Sequence, residues 1–131
     1  MKLIIATLSS LAFGSAFLPH QNDELTKSIE RGKMVYSDNC ISCHLGTGEG
    51  VPAAFPPLAK SDYLLKTPEK AIYAIKFGLM GKIKVNGTDY DNMMPPPGLE
   101  DEEVADVMNY IRNTWGNKDT TLVTAKMVEA I

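Results

Sequence analysis

Two thiols and an imidazole lie within five consecutive residues, Cys40-Ile41-Ser42-Cys43-His44. Each cysteine of such a pair can add across a vinyl group of a porphyrin and form a thioether. A histidine directly after the second cysteine is then left with its ring beneath the iron as the proximal ligand. Cys-x-x-Cys has other uses, as a thioredoxin-like dithiol, half of a zinc site or a tight disulfide. A redox dithiol is expected near a βαβ pattern, and none surrounds Cys40. A structural zinc needs four ligands, but beyond this stretch the chain offers only His20, where the mature protein is expected to begin. The reading is therefore one haem c, covalent through Cys40 and Cys43, with His44 on the iron.

The opposite face of that iron decides what it does. An open position permits small-ligand or peroxide chemistry, whereas a second strong protein ligand makes electron transfer the natural role. His20 is disfavoured as a mobile terminal residue. Met34, Met80, Met108 and Met127 read as packing residues on helix faces or loops. Met93 and Met94 differ, because Pro95-Pro96-Pro97 comes directly after them. A proline fixes its own φ and pushes the preceding residue into an extended conformation. Met94 immediately precedes the prolines and is preferred to Met93, since its thioether could be held in place at little entropic cost. A soft, neutral thioether and a low-dielectric surrounding both favour ferrous iron, and so raise the reduction potential.

These residues need elements to position them. Residues 17–25 read as a flexible lead-in, and a helix is expected over about Thr26–Ser37, carrying Ile29, Gly32, Lys33 (through its aliphatic stem) and Tyr36 on neighbouring faces. Gly32 costs that helix about 1 kcal/mol relative to alanine, which invites a close helix crossing as the reason. Gly46, Gly48 and Gly50 make a loop, and Pro52, Pro56 and Pro57 stiffen the next stretch of chain. Ser61 can cap a short helical turn. Thr67, Pro68 and Glu69 mark a second helix start, and Gly78 its stop. Asn86-Gly87 between Ile83-Lys84-Val85 and Thr88-Asp89-Tyr90 predicts a type I′ hairpin. The last main helix is expected over about Asp101–Thr114, with Val104, Val107, Met108, Ile111 and Trp115 as its apolar stripe. Glu100, Asp101, Glu102 and Glu103 read as a solvated helix start favoured by the dipole. Thr124 can cap a short closing helix stapled by Val123 and Val128.

At 131 residues with 44% apolar content, the chain suits one small domain. Net charge is −3, and no basic block or aromatic–basic interleaving points to nucleic acid. Lys2, the apolar run Leu3–Phe13 and Gly14-Ser15-Ala16 read as a secretory signal over residues 1–16, cleaved after Ala16. The run is shorter than the ~20 apolar residues of a spanning helix, so no membrane span is expected in the mature chain. Periplasmic or secreted localisation also fits the thiols, which an oxidising compartment would otherwise close into a disulfide.

Taken together, the chain closely resembles the class I cytochromes c from about Ile29 to Asn117. The resemblance is carried by Gly32, Tyr36, Cys40–His44, Phe55-Pro56-Pro57-Leu58-Ala59, Met94-Pro95-Pro96, Asp101-Glu102-Glu103-Val104 and Tyr110–Asn117. Ser61-Asp62-Tyr63-Leu64 and Gly81–Gly87 are similar to a narrower bacterial branch, whose domains are fused to or work beside copper nitrite reductases and other periplasmic oxidoreductases. The resemblance implies an all-α cytochrome c fold, with N- and C-terminal helices crossing beside the haem, to which the Asn86-Gly87 turn adds a small hairpin near 83–90. With the expected first helix included, the domain is expected over 26–117, and 118–131 is expected as an extension carrying the short helix capped by Thr124. The resemblance also implies that the Pro56 carbonyl accepts a hydrogen bond from His44 Nδ1–H and that Leu58 packs on the porphyrin. Glu100 departs from the Ser or Thr often found at that helix start and is a poorer cap.

The implied function is single-electron transfer between redox protein partners, not enzymatic catalysis. Lysines at 60, 76, 82 and 84 are candidates for a docking surface, although most surface lysines merely solubilise. Two alternatives stand beside this. One is an electron-entry subunit permanently docked to a larger oxidoreductase, such as a nitrite reductase or terminal oxidase. The other is a ligand-binding or peroxidatic haem protein.

Overall fold

The computed structural model describes residues 20–131. The expected signal at 1–16 and the first part of the lead-in lie outside the described residues. The elements in chain order are α1 (His20–Asn39), α2 (Ile41–His44), α3 (Asp62–Lys66), α4 (Pro68–Phe77), β1 (Ile83–Val85), β2 (Thr88–Tyr90), α5 (Asp101–Ile111) and α6 (Ala125–Glu129). The fold is all-α apart from the two-stranded antiparallel pair β1–β2. Asn86 (φ 50°) and Gly87 (φ 81°) both take the left-handed conformation that a type I′ turn requires, and they set the register Ile83↔Tyr90 and Val85↔Thr88.

Helix α1 begins earlier than the pattern suggests. Residues 20–25, expected as lead-in, are helical, with Asp23 in the first turn and Glu24 3.6 Å from Lys27. Carboxylates at a helix N-terminus and an i,i+3 pair are local sources of helix stability that apolar periodicity does not register. Ser28, Gly32 and Tyr36 form the buried face at i, i+4 and i+8, while Lys33, expected to lend its stem there, is exposed.

That face crosses α5. A Cβ added to Gly32 would stand 2.0 Å from the Asp106 carbonyl oxygen and 2.8 Å from Tyr110 Cβ. The two backbones meet where no methyl group fits, which is the packing reason for a glycine in mid-helix. Beside the crossing, Ser28 Oγ donates to Asp106 Oδ1 at 2.6 Å, and Arg31 grips the same carboxylate in bidentate fashion at 2.6 and 2.8 Å. Tyr36, Tyr110 and Trp115 close the other end, with ring centroids 4.9–5.5 Å apart.

Val104, Val107, Met108 and Ile111 are all buried on α5, while Trp115 packs half-buried against that core. Glu103 accepts a hydrogen bond from the Glu100 N–H at 3.0 Å, which supports the helix start despite the poorer cap residue. The helix ends at Ile111 rather than near Thr114. Ser61 caps α3 by accepting from Leu64 N–H. Thr67 stands at the N-cap of α4, but its hydroxyl donates back to the Tyr63 carbonyl at 2.7 Å instead of capping.

The segment after α5 folds back on it. Asn109 donates to Ser28 Oγ and the Val123 carbonyl, and accepts from the Val123 N–H, each at 2.8 Å. Thr124 caps α6 by accepting from Met127 N–H at 3.3 Å, and Val123 and Val128 are buried. Lys76 Nζ reaches both the Val128 carbonyl at 3.0 Å and Asp101 at 3.1 Å, tying α4 to α5 and α6.

Candidate haem site

Helix α1 ends at Asn39, and the chain turns at once into the single turn α2. Cys40 N–H donates to the Tyr36 carbonyl at 2.9 Å, and His44 N–H to the Cys40 carbonyl at 3.0 Å. Tyr36 Oη donates to the Leu45 carbonyl at 2.6 Å. The thiol-bearing turn is therefore fixed to the long helix at both ends.

Cys40, His44, Leu58, Tyr63, Ile75 and Met94 are among the walls of an apolar cavity of about 620 Å³, counting the space at its open mouth. A second recess of about 490 Å³ brings in Cys43 and Met93. The two share His44, Pro56, Leu79, Ile83 and Met94 and form one slot. A flat apolar group with a few fixed polar contacts is what such a space admits.

His44 Nδ1 lies 3.0 Å from the Pro56 carbonyl oxygen, an acceptor that calls for a proton on Nδ1 and leaves Nε2 with the lone pair. Burial lowers the His44 pKa, with the Pro56 hydrogen bond acting the other way, and that direction favours the neutral ring that can ligate. Met94 sits on the far strand of an isolated bridge, exchanging both backbone hydrogen bonds with Leu79 at 2.8 Å. Gly78 crowds the same spot: a Cβ there would be 2.7 Å from the Met94 carbonyl oxygen. Met94 is half-buried between the two recesses, while Met93 is 65% exposed. Asn117 Nδ2 donates to the Leu58 carbonyl at 2.8 Å, and so positions Leu58 on the slot wall from beyond the end of α5.

The donor set fits a covalently tethered haem. Two half-buried thiols without a disulfide, an imidazole and a thioether open on one apolar slot. Free Cys40 is pushed up to about 11, first by burial and then by Cys43. That is the reverse of the depressed thiol that dithiol exchange needs. Among the described residues no group of three or more His, Cys, Asp or Glu is placed to hold a metal ion, so the zinc alternative has no partners there.

Three further wall residues carry weaker signals in the sequence. Tyr63 follows the Ser61 cap and Ile83 opens the predicted hairpin, which places them in elements without marking them as slot walls, and Leu79 is marked by nothing but its neighbour Gly78, a helix stop. The pairing of Leu79 with Met94 spans two loops and leaves no periodic trace. Among the described residues, no helix is long and apolar enough to cross a membrane.

Comparison with known proteins agrees with this geometry. The family model described as Cytochrome c matches residues 29–115. Cytochrome c-552 of Thermus thermophilus is 40% identical over 91 residues, covering 66% of this chain and 69% of that protein. The gluconate 2-dehydrogenase cytochrome c subunit of Pantoea cypripedii is 33% identical over 123 residues, 85% of this chain. The cytochrome c subunit of the quinone-dependent alcohol dehydrogenase of Gluconobacter oxydans is 32% identical over 105 residues, 76% of this chain. The chain spans only 27% and 21% of the length of those two subunits. The helical fold, the slot and these likenesses converge, and the chain belongs to the cytochrome c family, as a class I, electron-transferring cytochrome with covalently attached haem c.

Proposed function

We propose that His44 and Met94 would be the protein ligands to the iron of a single haem held covalently by Cys40 and Cys43, and that the exported protein passes one electron at a time between redox proteins. The observation that carries the ligation is the shared slot wall. His44 and Met94 border both recesses, whereas Met93 borders one and is largely in solvent. When bound, the haem supplies the one-electron ferric/ferrous couple. The chain's own part is to hold both ligands still. Pro56 accepts the Nδ1 proton of His44 and fixes its tautomer. The Leu79 bridge and the adjoining prolines hold Met94, and Leu58 with its apolar neighbours excludes water. A thioether ligand in an apolar slot favours the ferrous state.

The test is the visible spectrum of the haem-loaded protein, oxidised and reduced. Met94→Ala is expected to abolish the thioether-to-ferric charge-transfer band and open the iron to carbon monoxide, while Met93→Ala keeps the native spectrum. The converse result would overturn the assignment. Export is supported by the pattern of residues 1–16, and mass spectrometry of the mature N-terminus checks it.

A second reading, an electron-entry subunit held permanently by a larger oxidoreductase, is favoured by the relatives named as dehydrogenase cytochrome c subunits. Copper nitrite reductases and terminal oxidases are further partners of that kind. Survival of a complex through high-salt gel filtration would select it over the free carrier. The peroxidatic alternative needs a labile Met94, against which its paired backbone argues.

A further inference from the structure

Trp115 (φ 54°) and Gly116 (φ 86°) take the left-handed conformation one after the other. For a residue as bulky as tryptophan that backbone is strained, and such strain persists only where the surroundings over-determine it. Here they do. The Trp115 ring lies 4.9 and 5.4 Å from the Tyr36 and Tyr110 rings, and a Cβ on Gly48 would stand 2.4 Å from its Cε3. The turn delivers Asn117, only 5% exposed, to the back of the slot wall. Its Nδ2 donates to the Leu58 carbonyl at 2.8 Å and to the Ile111 carbonyl at 2.7 Å. Two acceptors facing Nδ2 fix the orientation of the amide, and they leave Oδ1 buried without a partner among the described residues.

Leu58 is held at both of its backbone groups, for its N–H donates to the Gly48 carbonyl at 2.7 Å, where Ala59 N–H also donates at 2.9 Å. Two residues earlier stands Pro56, whose carbonyl accepts from His44 Nδ1–H at 3.0 Å. Residues 56–58 therefore have His44 and the Gly48 loop on one side and Asn117 on the other. Pro56 and Pro57 stiffen that stretch, so fixing Leu58 also fixes the acceptor of the histidine proton. A hydrogen bond held at Nδ1 makes an imidazole a stronger donor through Nε2 and favours ferric iron. We infer that Asn117 is a positioning residue for the proximal ligand. By bracing the Leu58 carbonyl against the end of α5, it keeps the Pro56–His44 hydrogen bond made and so helps to set the reduction potential. The bracing stands on the geometry alone, whereas its effect on the iron rests on the His44 ligation proposed above.

The experiment uses the haem-loaded protein, unsubstituted and as Asn117→Ala, as Asn117→Ser with one donor left, and as Val128→Ala, a buried truncation on α6 that serves as the control. In the ferrous state, NMR of the unsubstituted protein should show both Asn117 side-chain amide protons and the His44 Nδ1 proton exchanging slowly with solvent. Asn117→Ala should speed exchange of the Nδ1 proton about tenfold, the change in an opening equilibrium that one lost hydrogen bond brings. Asn117→Ser should be intermediate and Val128→Ala close to the parent. The midpoint potential should rise in the same order, with the visible spectrum kept. Fast exchange of either Asn117 amide proton in the unsubstituted protein overturns the bracing, and that measurement needs no variant to fold. Equal Nδ1 exchange in Asn117→Ala and Val128→Ala overturns the positioning role. So does a potential that falls, as entry of water beside the haem would make it do. A His44→Ala protein that keeps the native spectrum would instead refute the ligation reading, which separates the two failures.

Discussion

Gly32 shows how one missing side chain decides an architecture. Alanine is about 1 kcal/mol better than glycine in an isolated helix, yet a Cβ at this position meets the Asp106 carbonyl oxygen at 2.0 Å. Backbone cannot swing aside as a flexible side chain would, so α1 and α5 must part. Gly32→Ala is expected to lower stability by about 1–3 kcal/mol despite its better propensity, measured by guanidinium chloride unfolding of the haem-loaded protein. Gly46→Ala, where the added Cβ meets nothing within 4 Å, serves as the tolerated comparison. Equal stability of Gly32→Ala and the parent would remove the crossing argument. Gly32 was legible in the sequence because a glycine amid helical periodicity is locally anomalous. Asp106 and Asn109 were not. Both are buried polar residues whose partner Ser28 lies 78 and 81 positions away, and no local pattern reports a pairing at that separation. The Cys40–His44 turn stands at the opposite extreme, since its chemistry is written in five adjacent residues.

Elements hold together here through a few directed contacts, and two of them make different predictions. Asn109 satisfies both backbone groups of Val123 and bonds Ser28. Asn109→Ala leaves a buried N–H and carbonyl unpaired, at a cost of about 2–4 kcal/mol. Hydrogen exchange should then quicken selectively across 118–131, because α6 loses its attachment before α1 and α5 do. Exchange across 118–131 that rises no more than elsewhere would show that the tail does not depend on Asn109, its burial at Val123 and Val128 and the Lys76 bond to the Val128 carbonyl being sufficient. The hairpin is fastened by Asp62, whose carboxyl is held below its ordinary value of 3.8 chiefly by the Asn86 N–H. A carboxyl with a depressed folded pKa contributes stability above its unfolded pKa and loses it as pH falls through the folded value. The Asn86 amide resonance should therefore move, and its exchange accelerate, as pH drops below 3.8. In Asp62→Asn that titration should vanish. The hairpin itself was legible, because Asn-Gly demands positive φ at two successive residues. The first turn of α1 was not, since its stability comes from charge placement rather than an apolar stripe.

At the scale of the molecule, the slot and the core are one structure. Leu64, Ala71, Ile75, Val107 and Ile111 belong to the core cluster and also line the cavity, so the haem completes a centre that the chain alone leaves open. Each Leu, Ile or Val side chain returned to water forfeits roughly 1.5–3 kcal/mol. Four such residues wetted together would remove most of the ~5–15 kcal/mol by which a small domain is stable. Helices α1 and α5 have their own contact through Gly32 and the Arg31–Asp106 bridge, whereas α3, α4 and the Met94 loop meet largely around the slot. The chain purified without haem is therefore expected to keep helical far-ultraviolet circular dichroism while losing near-ultraviolet signal and a single sharp thermal transition, as expanded states do. Within it, amides of α1 and α5 should exchange more slowly than those of α4 and the hairpin. A haem-free chain that melts in one sharp transition, with equal protection throughout, would mean that the protein walls close the centre by themselves.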